Sequence, residues 1–255
     1  MLLDQRILAV VPARSGSKGI PHKNLRELDG VSLIGRAARC LAELSWIDAA
    51  VISTDSPRYA AEARRHGLAA PFLRPAELAG DESPAVDTLV HALHASEAHF
   101  GVCFDVVLII EPTSPLRTAA DVALATRRLI ESRADSAVTV SRVPSRFHPQ
   151  KLLTCDRERL THYAADGSAI TARQQLAPGV FWRNGLCYAL TRACLVEHRA
   201  VITERSIAVL IDRPVANIDD PLDLLWARFL REHAAAAAPD DDGLARTGCA
   251  VERPC

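Results

Sequence analysis

The sequence predicts an α/β protein built on a doubly wound, mostly parallel sheet that carries a small insertion. Three observations lead there. Short apolar runs recur along the chain, amphipathic stretches separate them, and the first run breaks abruptly into a turn rich in glycine and basic residues. Runs that are continuous or β-branched suit strands buried on both faces, and their alternation with helices suits right-handed crossovers. Sheets of this kind bind ligands in the crevice beyond the carboxyl ends of their strands.

The expected strands are ILAVV (7–11), AAVIST (49–54), DVVLIIE (105–111), SAVTVS (136–141), GLCYALT (185–191) and IAVLID (207–212). Helices are expected over 32–44, 57–67 and 119–133, where apolar residues return at helical spacing. Gly67 stands at a helix C-terminus and Asp121 in a first turn. Residues 145–183 are polar and Arg-rich with no clean period, which reads as an insertion serving as lid or dimer segment within one domain spanning 1–233. Residues 234–255, alanines followed by an acidic run, predict a disordered tail.

Composition bounds the function. The chain has 255 residues, 49% hydrophobic and 24% charged, with a net charge of −1. That balance suits a soluble globular protein with one core and gives no electrostatic reason to expect nucleic acid or membrane as a partner. No apolar run approaches the ~18–20 residues that cross a bilayer. The N-terminus lacks a basic stretch with a cleavage site, so a cytoplasmic protein is expected. None of the seven cysteines forms a CxxC pair, which predicts reduced thiols and neither a zinc site nor a disulfide framework.

The turn after the first strand holds the chemistry. In AVVPARSGSKGIPHKNLRELDG (9–30), Gly16 and Gly19 let the backbone approach a ligand and adopt positive φ, and consecutive N–H groups there can cradle an anion. Arg14, Lys18 and Lys23 add positive charge, and Ser15 and Ser17 add donors. These are the components that a triphosphate needs. Neither a P-loop GxxxxGK[ST] nor a GxGxxG dinucleotide pattern is present.

PARSGSKGIPHKN (12–24) resembles the signature of the CMP-acylneuraminate synthetases. The resemblance continues in order through VISTD (51–55), FLRPAELAGDESP (72–84), EPTSPLRTAAD (111–121), HPQK (148–151), RQQLAP (173–178), NGLCYAL (184–190) and NIDDPLDL (217–224). It implies a Rossmann-like nucleotidyltransferase that uses CTP and Mg²⁺, transfers CMP to an anionic small-molecule acceptor, releases pyrophosphate and works as a homodimer. By position, the resemblance assigns Arg14, Ser17, Lys18, Lys23 and Asn24 to the triphosphate and nucleotide, with Arg14, Lys18 and Lys23 acting in catalysis. It sets Arg74 against the cytidine, and Lys151, Arg173 and Asn184 toward the acceptor. Asp219 matches a metal-binding aspartate, although a helix N-cap ahead of Pro-Leu-Asp is an alternative role for it. His22, His148 and His162 are given no chemistry.

Three departures from the family stand out. Asn217 occupies the position of the first metal aspartate, and Glu111 stands where the family has glutamine before Pro-Thr-Ser-Pro. Tyr188 is the only aromatic between Trp182 and Trp226. Glu111 is therefore a candidate for the acceptor side and also, with Asn217 and Asp219, for the metal, where its carboxylate would replace the one missing at 217. The altered residues are all on the acceptor side. They leave a sialic-type sugar acid as the leading expectation, a small phosphonate such as phosphonoformate as a second, and a non-catalytic nucleotide-binding protein as a third.

Overall fold

The structure, a computed structural model, describes residues 2–233. Its first apolar run forms β1 (Ile7–Pro12), and the two-residue pleat divides that run between two apolar layers. Ile7, Ala9 and Val11 enter one cluster while Leu8 and Val10 enter another, all fully buried. A small hairpin follows, β2 (Glu27–Leu28) and β3 (Val31–Ser32), and leads into α1 (Leu33–Ala42). The Ser32 hydroxyl starts that helix by accepting the Gly35 N–H at 3.0 Å. Next come β4 (Ala49–Ser53), α2 (Pro57–Arg65), α3 (Ala85–Phe100), β5 (Val106–Ile109), α4 (Ala119–Ser132) and β6 (Ser136–Arg142). The remaining elements are β7 (Leu153–Asp156), β8 (Arg159–His162), β9 (Phe181–Thr191), α5 (Arg192–Val196), β10 (Ser206–Leu210) and α6 (Pro221–Glu232).

Six strands form one sheet in the order β10-β6-β9-β5-β1-β4. Its neighbours are parallel except around β9, which runs antiparallel to both β5 and β6. The expected mostly parallel, doubly wound arrangement is therefore present, with the 185–191 run as its reversed strand. α1, α2 and α4 cover the face that carries Ile7 and Ala9, and α3 and α5 cover the face that carries Leu8 and Val10. β1, between β5 and the edge strand β4, ends at the carboxyl edge of the sheet, where the basic turn begins.

All six expected strands and the three expected helices are present. Gly67 takes φ +80° just past α2, and Asp121 completes a capping box with Thr118 at the start of α4. α3 and α6 are additions to that expectation. α6 is capped by Asp220, whose carboxylate accepts the Leu222 and Asp223 N–H groups at 2.8 and 3.0 Å, so the helix-cap role open to Asp219 falls to its neighbour. Within 145–183, β7 and β8 form a separate two-stranded hairpin with every strand residue exposed. The expected tail at 234–255 lies outside the described residues. No helix among the described residues is long and apolar enough to cross a membrane, and the five described cysteines are free thiols.

Candidate active site

The basic turn is tied to the sheet before it reaches any ligand. Ala13 N–H donates to the Ser53 carbonyl at 2.9 Å, continuing the β1–β4 ladder by one bond. Asp55, two residues past β4, then takes the Ser15 N–H at 2.8 Å and the Ser15 hydroxyl at 2.5 Å. Burial alone would raise the Asp55 carboxyl, but these bonds outweigh it and hold the group below the ordinary carboxylate range. Asn24 is buried and donates to the Arg14 carbonyl at 3.3 Å, which closes the turn on itself.

The glycines act differently from expectation. Neither Gly16 nor Gly19 has positive φ; His22, at φ 52°, is left-handed instead, as are Asp29 and Gly30 at the hairpin that follows. Gly19 is needed for close approach instead, because a Cβ there would run into the backbone carbonyl of Asp219. That packing brings the turn against the segment before α6, where Lys23 Nζ meets the Asp219 carboxylate at 2.9 Å.

A cavity of about 560 Å³ opens above this floor at the carboxyl edge of the sheet. Arg14, Ser17, Lys23, Asn24 and Arg74 contribute to its lining. Arg74 is buried beneath it and donates to the Ser53 carbonyl at 2.6 Å and the Ser53 hydroxyl at 3.2 Å. Desolvation brings its guanidinium down to about 10, opposed by the nearby Asp55 carboxylate. Asp81 also lines the cavity and bridges two of the cations, with Arg14 at 2.6 Å and Lys18 at 2.5 Å. Hydrogen bonds from Lys18 and Arg14 hold the Asp81 carboxyl below its usual range. Lys18 itself is 82% exposed and is not part of the lining, so it reaches this site through Asp81.

The same cavity is lined by Glu111, Asn217 and Asp219 with Arg183 and Tyr188. Gly185 makes this part of the cavity possible. It lies at φ +71°, and a Cβ there would come within 2.6 Å of the Ser114 hydroxyl and 3.2 Å of the Asn217 amide nitrogen, and would strike Glu111 Oε2. Glu111 and Asn217 are therefore neighbours across one glycine, as the paired departures suggested. Arg117, buried, fixes this part of the cavity by donating to the backbone carbonyls of Glu111 at 2.5 Å, Gly185 at 3.1 Å and Leu186. Burial pushes the Glu111 carboxyl upward, with Arg117 and Arg183 opposing and Asp219 adding to the rise.

This part of the cavity fits a small, hard cation. Asn217 Oδ1 is buried without a hydrogen-bond partner, and two carboxylates line the same cavity. Among the described residues no group of three His, Cys, Asp or Glu could hold a metal alone. Such a donor set suits Mg²⁺, which keeps waters and shares substrate phosphate oxygens.

Three expected acceptor residues are not gathered here. Asn184 is fully buried, donates to the Ser141 hydroxyl at 3.0 Å and accepts the Leu186 N–H at 3.2 Å. Its amide shapes the wall from behind. Lys151 and Arg173 are exposed on the insertion, outside the lining of this cavity. Conversely, Asp55, Asp81, Arg117 and Arg183 serve the site although no role was read for them. The first three stand inside the quoted segments VISTD, AGDESP and SPLR, so the family resemblance held their positions without their partners.

Residues 8–205 match the family model described as cytidylyltransferase. The chain belongs to that family. It is 30% identical over 222 residues to the CMP-N,N'-diacetyllegionaminic acid synthase of Legionella pneumophila subsp. pneumophila, covering 87% of this chain and 94% of that one. It is 28% identical over 235 residues to the post-translational flagellin modification protein B of Campylobacter coli, covering 92% and 98%. The N-acylneuraminate cytidylyltransferase of Escherichia coli is 26% identical over 232 residues, 89% of this chain and 52% of that protein. Among solved structures, a CMP:2-keto-3-deoxy-manno-octonic acid synthetase complexed with CTP superposes with a TM-score of 0.63 at 17% identity, covering 90% and 99%, which shows the shared fold. The resemblance to CMP-acylneuraminate synthetases is borne out by these relatives, and the cytidylyltransferase is an enzyme of the nucleotidyltransferase class.

Proposed function

We propose that this cytidylyltransferase moves CMP from CTP to a hydroxyl of a sialic-type sugar acid, with Mg²⁺ as cofactor and pyrophosphate as the second product. The observation that supports this most is one cavity lined both by cations, Arg14 and Lys23, and by carboxylates, Glu111 and Asp219, with Lys23 and Asp219 meeting at 2.9 Å. The cations suit a triphosphate, and the carboxylates suit the cation that travels with it. Names of relatives supply the acceptor class.

In the reaction the acceptor oxygen attacks the α-phosphorus of CTP in line with the α–β bridging oxygen. The new P–O bond forms as the bridging bond breaks, its electron pair leaves with pyrophosphate, and the hydroxyl proton passes to water. The protein's work is positioning and charge neutralisation. Arg14 and Lys23 hold the phosphate oxygens, with Ser17 donating beside them. Lys18 comes into play once a triphosphate displaces Asp81. Arg74 and Asn24 hold the floor on which the nucleoside rests. Glu111 and Asp219, with the unpartnered Asn217 Oδ1, would hold Mg²⁺, which would supply positive charge to the leaving pyrophosphate.

The hairpin β7–β8 is read as the homodimer contact. A two-stranded ribbon is marginal alone, and this one exposes Leu153, Leu160 and the adjoining Tyr163 at 52%, 64% and 66%. Lys151 and Arg173 lie on the same insertion, so a partner copy could carry them to an acceptor. A CTP-using biosynthetic enzyme of this kind would work in the cytoplasm.

The test is pyrophosphate release with CTP, Mg²⁺ and four acceptors: N,N'-diacetyllegionaminic acid, N-acetylneuraminic acid, 2-keto-3-deoxy-manno-octonic acid and phosphonoformate. Release with a sugar acid and CTP, but not with ATP or GTP, is expected. Release with phosphonoformate alone would move the acceptor to small phosphonates, and CTP binding without any release would leave a nucleotide-binding protein.

A further inference from the structure

Between α1 and the start of α4 lies a separate cavity of about 300 Å³, which shares no lining residue with the nucleotide cavity. The helix period builds much of its lining. Arg36, Cys40 and Glu43 follow at i, i+4 and i+7 along α1 and its C-cap, with Arg39 beside them, and all four line the cavity. Arg117 and the first residues of α4 join them from the turn after β5.

Arg117 links the two cavities. It is only 8% exposed and donates to the carbonyls of Glu111, Gly185 and Leu186, the first of which lines the nucleotide cavity. Carbonyls orient a guanidinium without neutralising it. Among the described residues Arg117 forms no ion pair, and its Nη1 nitrogen makes no hydrogen bond. The titratable groups around it leave its charge uncompensated. Burial pushes the Cys40 thiol up to about 11 and the Cys187 thiol up to about 12, so both stay neutral near pH 7. Asp121 is taken by Arg213 and by the Thr118 N–H at 2.8 Å. Glu111 meets Arg117 through its backbone carbonyl, and burial raises its carboxyl. A buried cation without a counter-ion is costly, and a guanidinium cannot shed its proton to escape that cost.

The rest of the lining is also cationic. Arg36 meets Asp29 at 3.2 Å, but Arg231 meets the same carboxylate at 2.5 Å, so two guanidiniums share one counter-ion. Arg39 is exposed and forms no ion pair among the described residues. Glu43, exposed, is the one carboxylate of the lining. Three guanidiniums therefore face one carboxylate, and the N-terminus of α4 adds the positive end of a 14-residue helix at Ala119. The volume stands at the bottom of the range for ligand pockets, about 300–1,000 Å³, which suits a small ion with its waters rather than a nucleotide.

We propose that this cavity binds a small phosphorus oxyanion, phosphate or pyrophosphate, as an effector site distinct from the nucleotide cavity. The ion is the missing counter-ion of Arg117, and Arg36 and Arg39 complete its contacts from α1. Guanidiniums match the oxygens of such an ion in pairs, which favours it over chloride. Through Arg117 the bound ion bears on the carbonyls of Glu111 and Gly185, so the site and the nucleotide cavity are joined by one side chain.

The test is calorimetry with inorganic phosphate and with pyrophosphate, at an ionic strength fixed with chloride, without Mg²⁺ and with CTP present to fill the nucleotide cavity. The intact protein is compared with Arg39→Glu and Arg39→Lys. Arg39 is exposed and unpaired, so thermal midpoints without the anion should not change. One phosphorus anion is expected to bind beside CTP, about 5–30-fold more weakly in Arg39→Glu and nearly as well in Arg39→Lys. Tighter binding of phosphate or of pyrophosphate names the ion. No binding of either beside CTP, or equal binding by Arg39→Glu, would overturn the site. In a protein that binds no CTP, the loss in Arg39→Glu still decides the matter, because Arg39 stands outside the nucleotide cavity.

Discussion

Replacing Asp55 with alanine would free the nucleotide loop from the sheet without altering a residue that lines the cavity. In the folded protein the Asp55 carboxylate takes the Ser15 N–H at 2.8 Å and its hydroxyl at 2.5 Å. A hydrogen bond to a charged group contributes about 1.5–3 kcal/mol. Solvent screening at this partly exposed site brings the pair together to ~1.5–2.5 kcal/mol. Before a triphosphate can bind, the loosened loop must be ordered again, so the loss should fall on nucleotide affinity. At 1.36 kcal/mol per tenfold, KM for CTP should rise by about 10–70-fold, with kcat and the acceptor KM changed much less. Asp55→Asn, which keeps an acceptor oxygen, should recover part of the loss. Steady-state kinetics with CTP varied at saturating acceptor measures this. A KM for CTP within twofold of the unaltered protein would refute the reasoning. The pH dependence carries the same sign. Asp55 is depressed in the folded state, so its contribution is complete above the unfolded value of about 4 and is lost as pH falls through the lower folded value. Asp55→Ala should therefore show a shallower loss of stability below about pH 4 in urea unfolding.

Asp81 occupies cations that a triphosphate needs, so Asp81→Asn should tighten CTP binding by about 2–10-fold and steepen its salt dependence, read by calorimetry at two ionic strengths; weaker binding would contradict the competition. Gly19→Ala places a methyl against the Asp219 carbonyl and should cost about 1–3 kcal/mol of stability and most CTP use, and a neutral outcome by thermal unfolding would show that the turn can move aside. Glu111→Gln should weaken Mn²⁺ binding measured by EPR in the presence of CTP, and adding Asn217→Asp should restore part of it. Purely additive losses would leave the two positions unlinked.

The inner strands were legible because each is buried on both faces, which leaves an unbroken apolar run such as Ile7–Val11, while the edge strand β10 is only partly buried. α3 was not, because its buried positions include Thr88 and Ser96, and Ser96 hides its hydroxyl by donating to the Ala92 carbonyl at 2.7 Å. α6 was read only as a cap ahead of Pro-Leu-Asp, because much of its apolar side, Leu222, Leu225, Trp226 and Phe229, faces outward. At the site, composition of the turn 9–30 pointed to an anion seat, and the resemblance named most of its lining. What could not be read were pairings across long stretches of chain: Ser15 with Asp55, Lys23 with Asp219, and Arg117 with the carbonyls around Gly185. Gly19 was expected to take a positive φ that it does not have, and only the fold sets it against Asp219. Lys151 and Arg173 belong to an exposed insertion, and nothing local in the sequence says which surface such residues will serve.

The most direct measurement follows the α-phosphorus. With Mg²⁺, a sugar acid such as N,N'-diacetyllegionaminic acid and CTP labelled at that atom, all consumed label should appear in a CMP–acceptor adduct, with one unlabelled pyrophosphate released for each adduct. Label remaining in CDP or free CMP, with orthophosphate released and no adduct, would contradict cytidylyl transfer.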